Sequence, residues 1–274
     1  MRVVPTELRL EALDAVLGLR LPAQLARGPH AWLPDGASVT PEPGPVDTWI
    51  ELREVAPSGG AGLAPTYRLI DTEAAIDQPV DASEVDGHLE WAVLEALARH
   101  VRTFVLLHAG VVAWHGRAIL LPGHSHAGKS SLTAALVRAG ADYGSDDCAA
   151  IGPDGLIHPL ARRMALRQRD GRMERVDVRD WGARVAAAPI APGLVVVARY
   201  VTDATWCPRV LTPGEAVHAM IPHVFGLARA PARTLAALAS VAEAARTIEG
   251  TRGEAAPVAA WLLKHAASNA IHDP

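Results

Sequence analysis

The segment 123–130 constrains the possible fold of this chain more tightly than any other part, because two glycines and a lysine–serine pair occur there at fixed spacing. Its sequence, Gly123-His124-Ser125-His126-Ala127-Gly128-Lys129-Ser130, matches the pattern G-x-x-x-x-G-K-[ST] in full. The apolar stretch 117–121 precedes this segment, and the amphipathic stretch 130–139 follows it. This order predicts a strand, a loop and a helix, in which backbone N–H groups and the helix N-terminus face a bound phosphate. The sequence therefore predicts an α/β nucleotide-binding domain.

The residues of this loop have distinct expected tasks. Lys129 is expected to reach the β- and γ-phosphates of a nucleoside triphosphate, and the Ser130 hydroxyl is expected to ligate magnesium. His124 and His126 occupy variable positions, so we expect them to face away from the phosphates rather than to form a metal pair. A protonated His126 would still add positive charge near the γ-phosphate. The predicted cofactors are ATP and Mg²⁺, and the predicted nucleotide-binding residues are Gly123, His124, Ser125, His126, Ala127, Gly128, Lys129, Ser130 and Ser131.

Composition argues against several other classes of protein. The chain has 274 residues, a net charge of −4 and interspersed acidic and basic residues, so no surface for nucleic acid or an anionic membrane is expected. No apolar run approaches the roughly 18 residues of a membrane helix, and the charged N-terminal segment is unlike a signal peptide. The two cysteines, Cys148 and Cys207, are too few for a disulfide framework or a zinc site. The expectation is a cytoplasmic protein.

The hydrophobic pattern divides the chain into two expected domains, residues 1–85 and residues 86–274. The first is expected to be a small subdomain built from a helix and a hairpin, with no assigned role. The second is expected to carry the nucleotide-binding fold. The predicted elements are helix 7–19, strands 46–55 and 67–70, helix 83–100, strand 101–107, a hairpin over 111–121, helix 130–139, a hairpin over 149–160, strand 193–200, and tail helices 213–227, 231–247 and 256–267.

An acidic pair, Asp146-Asp147, follows the loop after space for only one helix and one short strand. We therefore expect the pair at the phosphate side of the sheet, where a carboxylate holds magnesium or accepts the proton of an attacking hydroxyl. Because neighbouring residues of a regular strand face opposite sides, both carboxylates serve the site only where Gly144 and Ser145 bend the chain. A solvated turn or a helix-capping pair is the alternative.

His108 directly follows the predicted strand 101–107. We expect it to lie near the acidic pair, where it would orient one carboxylate. The alternative is a strand-end histidine that is merely hydrogen-bonded. Four arginines are candidates for stabilising charge on a transferred phosphoryl group, with a surface charge as the alternative for each: Arg162, Arg163, Arg167 and Arg199.

Three segments together resemble a known family. They are Leu107-His108-Ala109-Gly110, the loop 123–130, and Gly140-Ala141-Asp142-Tyr143-Gly144-Ser145-Asp146-Asp147. They resemble the catalytic domain of HPr kinase/phosphorylase and its HPr-kinase-like relatives, whose nucleotide fold is shared with ATP-dependent phosphoenolpyruvate carboxykinase. The resemblance covers residues 101–160, and the short interval from Lys129 to the acidic pair is its distinguishing mark. It implies an α/β P-loop domain of the HPr kinase/phosphoenolpyruvate carboxykinase type.

The resemblance also implies roles for individual residues. It implies that His108 interacts with Asp146, which acts as base toward the acceptor hydroxyl. It implies that Lys129 binds the phosphates and Ser130 holds magnesium, while Asp147 has a metal or structural role. The chain departs from the family at His126, where a second glycine is usual, and residues 166–178 do not match the family's Arg-Gly-rich signature. HPr as acceptor and phosphorylase activity are therefore not expected.

The resulting hypothesis is an ATP-dependent kinase, a phosphotransferase that moves the γ-phosphoryl group to a hydroxyl. The expected partner is a protein or ribosomal peptide that offers a serine, with no nucleic acid and no membrane involved. A homo-oligomer stays open. A small-molecule kinase with the same machinery is one alternative, and a non-catalytic ATP-binding sensor or assembly module is another.

Overall fold

The computed structural model describes residues 5–26, 33–42, 44–55, 66–124, 127–167 and 171–266. Contacts between residues divide the chain into two units, Met1–Arg102 and Thr103–Pro274. Each unit combines β-sheet with α-helix, so both are mixed α/β structures. Within these described ranges, no helix is both long enough and apolar enough to cross a membrane.

In its described residues, the first unit contains one six-stranded sheet and two helices. Its elements are β1 (Thr6–Ala12), β2 (Ala15–Leu21), α1 (Ala23–Ala26), β3 (Ser38–Thr40), β4 (Thr48–Val55), β5 (Thr66–Asp71), β6 (Ile76–Asp81) and α2 (Val85–His100). The strands lie in the order β3-β1-β2-β4-β5-β6. Neighbouring strands are antiparallel except for β2 and β4, which are parallel.

Residues 7–19, predicted as a helix, form the hairpin β1–β2, so that prediction is wrong. The apolar residues of this segment also fit a repeat of two, and Leu8 and Leu10 point into the core from β1. Gly18 favours the strand, because a Cβ at this position would lie 2.5 Å from the ring of Trp49. Close cross-strand packing therefore decides a pattern that periodicity alone leaves ambiguous.

The predicted pairing of strands 46–55 and 67–70 is confirmed, since β4 and β5 are antiparallel partners. Helix α2 confirms the predicted helix over 83–100. However, α2 packs on β2, β4, β5 and β6, because its apolar side, which includes Leu89 and Val93, is buried there. It therefore belongs to the first unit, and the chain divides after Arg102 rather than after residue 85.

The second unit contains eleven strands and four helices among its described residues. They are β7 (Val105–Leu107), β8 (Ala109–Trp114), β9 (Arg117–Pro122), α3 (Lys129–Arg138), β10 (Asp142–Ser145), β11 (Ala149–Ile151), β12 (Ile157–Pro159), β13 (Met164–Arg167), β14 (Met173–Val176), β15 (Ala191–Tyr200), β16 (Arg209–Leu211), α4 (Pro213–Met220), α5 (Pro231–Ala244), β17 (Arg246–Arg252) and α6 (Ala255–Ala266). Short 3₁₀ turns occupy Val178–Trp181, Ile221–His223 and Leu227–Arg229.

The main sheet of this unit has the strand order β10-β8-β9-β15-β17-β16, and its central strands β9, β15 and β17 are parallel. Helices cover both faces, so successive residues of a central strand are buried on opposite sides. On β9, Ile119 and Leu121 pack in the core that contains residues of α3 and α6. Ala118 and Leu120 pack in the core that contains residues of α4 and α5. This layered packing holds the carboxyl ends of β9, β15 and β17 at one edge of the sheet.

The hairpins predicted over 111–121 and 149–160 are confirmed as β8–β9 and β11–β12. His115 and Gly116 make the first turn with φ of +47° and +75°, the left-handed pair typical of a two-residue hairpin turn. The prediction of a wholly helical C-terminal segment is only partly correct. Its helices are present as α4, α5 and α6, but α5 ends at Ala244 and the following strand β17 joins the main sheet.

Candidate functional site

The glycine-rich segment joins the end of β9 to the start of α3. Gly128 has φ of +83°, a left-handed conformation that glycine adopts without strain. Its carbonyl accepts the Leu132 N–H at 3.1 Å, so it opens α3. The Ala127 N–H donates to the His124 carbonyl at 3.2 Å and tightens the turn. This curled backbone at a helix N-terminus has the geometry that favours an anion. Ser125 and His126 lie outside the described residues.

Lys129 is the first residue of α3, and its side chain folds back over the loop. The Nζ donates to the His124 carbonyl at 3.0 Å, its only hydrogen-bond partner among the described residues. Burial lowers the pKa of Lys129, and the negative charges of Asp147 and Asp146 oppose this shift. The negative charges of both aspartates therefore favour the protonated form of Lys129.

The two aspartates of the acidic pair diverge. Asp146 is only 3% exposed. Its Oδ1 accepts the Tyr143 hydroxyl at 3.1 Å, and its Oδ2 accepts the Ala165 N–H at 3.0 Å. Burial raises the pKa of Asp146, although Arg162 and these two hydrogen bonds act in the opposite direction. Asp146 thus connects the end of β10 to β13 and has a structural position.

Asp147 faces the other way and contacts two basic side chains. Its Oδ1 lies 2.5 Å from His108 Nε2, and its Oδ2 lies 3.3 Å from Arg162 Nη2. Burial alone would raise the pKa of Asp147. The hydrogen bond and charge of His108, with the charges of Arg162 and Lys129, outweigh burial and leave this pKa below its ordinary value. Asp147 is therefore held as a carboxylate.

The contact expected between His108 and Asp146 is thus wrong, because His108 contacts Asp147 instead. The cause is the local path of the chain. The pairing register of β10 with β8 shifts between Tyr143 and Ser145. Beyond the shift, the Ser145 hydroxyl accepts the N–H groups of Asp147 at 3.3 Å and Cys148 at 3.2 Å. The predicted bend is present, and it turns the second carboxylate of the pair toward His108.

The serines of the loop differ in exposure. Ser130 is half-buried in the first turn of α3, next to Lys129, whereas Ser131 is exposed. Among the described residues, no three His, Cys, Asp or Glu side chains form a group suited to a metal ion. Of the four candidate arginines, Arg162 contacts Asp147, and Arg199 lines a cavity beside the loop. Arg163 and Arg167 are not brought to the site, and both are exposed.

A cavity of about 540 Å³ adjoins the loop. Gly123 and His124 border it on the loop side, and Thr251 lines it from β17. His223 and Cys207 also line it. Its volume lies in the range of small-molecule sites. The cavity opens at the carboxyl ends of parallel strands, which is where ligands bind in open α/β sheets.

Similarity of this chain to known proteins is found among solved structures and not in the two other comparisons. No family model matches it, and no curated protein matches it. Among solved structures, the chain is similar to the Hpr(Ser) kinase/phosphatase from Coxiella burnetii, with 13% sequence identity and a TM-score of 0.35. That match covers 58% of this chain and 93% of the other. The similarity is distant and carries no argument about function.

Two residues of the site carry no signal in the sequence. His223 follows α4, and its carbonyl accepts the His108 N–H at 2.7 Å. Its ring lies 4.4 Å from that of His124, centroid to centroid, and burial together with neighbouring positive charges lowers the pKa of His223 to about 4. Arg252 ends β17, and its Nη2 donates to the Gly128 carbonyl at 2.7 Å. Both reach the loop through pairing of distant segments, which no local motif encodes.

Proposed function

We propose that this chain is an ATP-dependent phosphotransferase that moves the γ-phosphoryl group to a hydroxyl, with a serine of a protein or ribosomal peptide as acceptor. One observation carries the proposal: the carboxylate of Asp147 pairs with the side chain of His108, and the His108 carbonyl accepts the N–H of the loop residue Gly123 at 3.3 Å. A glycine loop with a lysine accounts for phosphate binding. A carboxylate fixed beside it adds the proton acceptor that transfer requires.

The proposed step forms a bond between the acceptor hydroxyl oxygen and the γ-phosphorus. The bond from that phosphorus to the bridging oxygen breaks, and ADP leaves with the bond's electron pair. The hydroxyl proton passes to Asp147, which is ionised at neutral pH because its pKa is low. His108 fixes the orientation of this carboxylate, and Lys129 offsets negative charge on the transferred group. The role of base thus moves from Asp146 to Asp147.

Mg²⁺ is the cation that we propose to accompany ATP. It prefers oxygen ligands, retains several waters, and needs only one or two protein ligands beside the phosphate oxygens. The half-buried Ser130 hydroxyl, in the first turn of α3, fits this requirement. Asp147 is the second candidate ligand; its Oδ1 is held by His108, and its Oδ2 lies 3.3 Å from Arg162 Nη2. When bound, the cation would neutralise charge on the β- and γ-phosphates.

The nucleoside end of ATP is assigned to the cavity beside the loop. A triphosphate on the loop must extend from it, and the cavity shares Gly123 and His124 with the loop. Its half-buried and exposed walls, including Arg199 and Cys207, offer both polar and apolar contacts for a base and ribose.

The chain contains only two lysines, Lys129 and Lys264, and this supplies a matched test. We expect Lys129→Ala to weaken binding of a non-hydrolysable ATP analogue with Mg²⁺ by about ten- to a hundredfold, the effect of losing a charged hydrogen bond. Lys264 is exposed on α6, so Lys264→Ala should bind as the wild type does. Calorimetric titration measures both. Equal binding by the two variants would contradict the assignment of the loop.

Transfer of labelled γ-phosphate from ATP to a panel of serine-containing proteins and peptides tests the second half of the proposal. We expect labelled serine and stoichiometric ADP in the presence of wild-type protein and the correct acceptor. Label on small hydroxyl compounds alone would favour the small-molecule kinase. Tight ATP binding without turnover across the whole panel would favour the non-catalytic sensor.

A further inference from the structure

The last residue of β17, Arg252, is a buried cation behind the loop. It is 2% exposed, in a position where a charged side chain is costly unless it is paired. No carboxylate lies within salt-bridge distance of its guanidinium in the described parts of the chain. Glu254, two residues away, is exposed and acts on it only through its charge. The nearest aromatic ring, that of Tyr200, has its centroid 5.4 Å from the guanidinium carbon.

Backbone carbonyls are the hydrogen-bond partners of this guanidinium. Nη2 donates to the Gly128 carbonyl at 2.7 Å, and Nη1 donates to the Gly253 carbonyl at 2.8 Å. Nε is buried and has no partner among the described residues. Arg252 therefore fastens the final residue of the loop to the end of β17, a strand that is adjacent to β15 and not to β9.

The absence of a side chain at Gly128 leaves space for the Arg252 guanidinium. A Cβ at Gly128 would lie 2.3 Å from Arg252 Nη2, closer than any side-chain carbon can approach. Glycine at this position thus satisfies two requirements, the positive φ and the space for the guanidinium. A larger residue at position 128 would therefore displace the end of the Arg252 side chain from its present position.

The electrostatics of this position are unfavourable for a protein without a ligand. Burial disfavours the charged guanidinium, and the N-terminus of α3, which begins beside Gly128, carries its own partial positive charge. Two positive sources therefore meet at the loop, and Lys129 adds a third. An anion bound on the loop would offset all three, whereas the described residues place no carboxylate against Arg252.

We propose that Arg252 is a positioning residue for a polyphosphate anion: its guanidinium fixes the Gly128 carbonyl so that the loop N–H groups face the anion, and its charge stabilises the bound anion. This inference rests on the proposed function, because it takes the polyphosphate of a nucleotide as the ligand. Arg252 acts through the loop and does not itself touch the reacting atoms.

The test compares Arg252→Met with Arg117→Met. Arg117 begins β9 at the opposite end of the strand, and its Nη2 also donates to a backbone carbonyl, that of Ala244 at 3.2 Å, but it is exposed. Binding of inorganic tripolyphosphate and of the ATP analogue is measured by calorimetry, together with the melting temperature of each variant without ligand. We expect Arg252→Met to weaken both ligands by about ten- to a hundredfold and Arg117→Met to bind as the wild type does.

A purely structural role would lower the melting temperature and leave the affinity of the folded protein unchanged, and that result overturns the proposal. Should Arg252→Met fail to fold, Arg252→Lys and Arg252→Gln replace it. Lysine keeps the charge and glutamine keeps only a neutral donor, so we expect lysine to bind tripolyphosphate more tightly. Glutamine binding as tightly as lysine overturns the role of the charge. Wild-type protein that binds neither ligand overturns the proposed function and this inference with it, whereas wild-type affinity in Arg252→Met overturns this inference alone.

Discussion

Buried charged side chains have different kinds of partner in the two units. In the first unit, Asp71 is fully buried, yet its Oδ1 accepts the N–H groups of Glu73 and Ala74, each at 3.1 Å, and its Oδ2 pairs with Arg99. That network is closed within the protein. In the second unit, Lys129 and Arg252 bind backbone carbonyls and no carboxylate among the described residues. A closed network stabilises a fold, whereas buried cations that form no ion pair mark a place where a ligand can supply the negative charge.

The largest expected effect is on catalysis. We expect Asp147→Asn to slow phosphoryl transfer by about a hundredfold or more, because it removes the proposed general base, while ATP binding changes little. Single-turnover transfer on protein checked for its melting temperature measures this. Asp146→Asn is the matched neighbour: its amide can accept the Ala165 N–H and donate to the Tyr143 hydroxyl, so its rate should stay close to that of the wild type. Equal losses in both variants would contradict the division of roles between the two aspartates.

In the first unit, we expect a substitution to affect stability and not activity. We expect Asp71→Asn to cost about 3 kcal/mol of stability, because it leaves the Arg99 guanidinium buried without its main counter-charge. Glu73, 3.8 Å from Arg99, compensates only in part. Urea denaturation measures the loss, and transfer per folded molecule should be unchanged. Asp77→Asn, in an ion pair with both side chains about half exposed, is the control and should leave stability unaltered. A slower transfer rate in folded Asp71→Asn would contradict the prediction that the Asp71 network affects stability alone.

The sequence predicted the local features of the site well. The strand, loop and helix around Gly128 and Lys129 depend on residues adjacent in the chain, and so does the hairpin that leads into them. The family resemblance implied that His108 would meet a carboxylate, but it named Asp146 instead of Asp147. The sequence could not tell the two apart, because the shift in register at Ser145 depends on pairing with β8, a segment far away in the chain.

The failures have a common physical origin in packing between distant segments. The residues of β1 and β2 fit a helical repeat as well as a strand repeat, and the close approach of Trp49 to Gly18 decides between them. Strand β17 was missed because its buried residues include Thr247 and Arg252, which do not give an apolar pattern. Arg252 reaches the loop only because β17 joins the sheet beside β15. The closed ion network of the first unit, which joins Asp71 to Arg99, is equally invisible to a local pattern.

The smallest expected effect locates the ligand within the second unit, and the wild-type protein suffices to measure it. The chain has two cysteines. Cys148 is buried, and burial raises the pKa of its thiol to about 12, so it should not react with an alkylating reagent at neutral pH. Cys207 is exposed and lines the cavity that we assign to the nucleoside. One thiol per chain should therefore be labelled, and Cys207→Ser should abolish the labelling.

A ligand in that cavity should protect Cys207. At a concentration of ATP analogue about ten times its Kd, roughly nine-tenths of the sites are filled, so labelling should slow by up to about tenfold. Tripolyphosphate occupies only the loop in this scheme and should leave the labelling rate nearly unchanged, although it binds the same cations. Mass spectrometry of the labelled protein over time measures both rates. If the analogue binds without protecting Cys207, the nucleoside lies elsewhere. Protection by tripolyphosphate alone would instead mean that the anion binds in the cavity, or that its binding to the loop changes the cavity wall. In either case, residues other than Lys129 and Arg252 would take part in binding the anion.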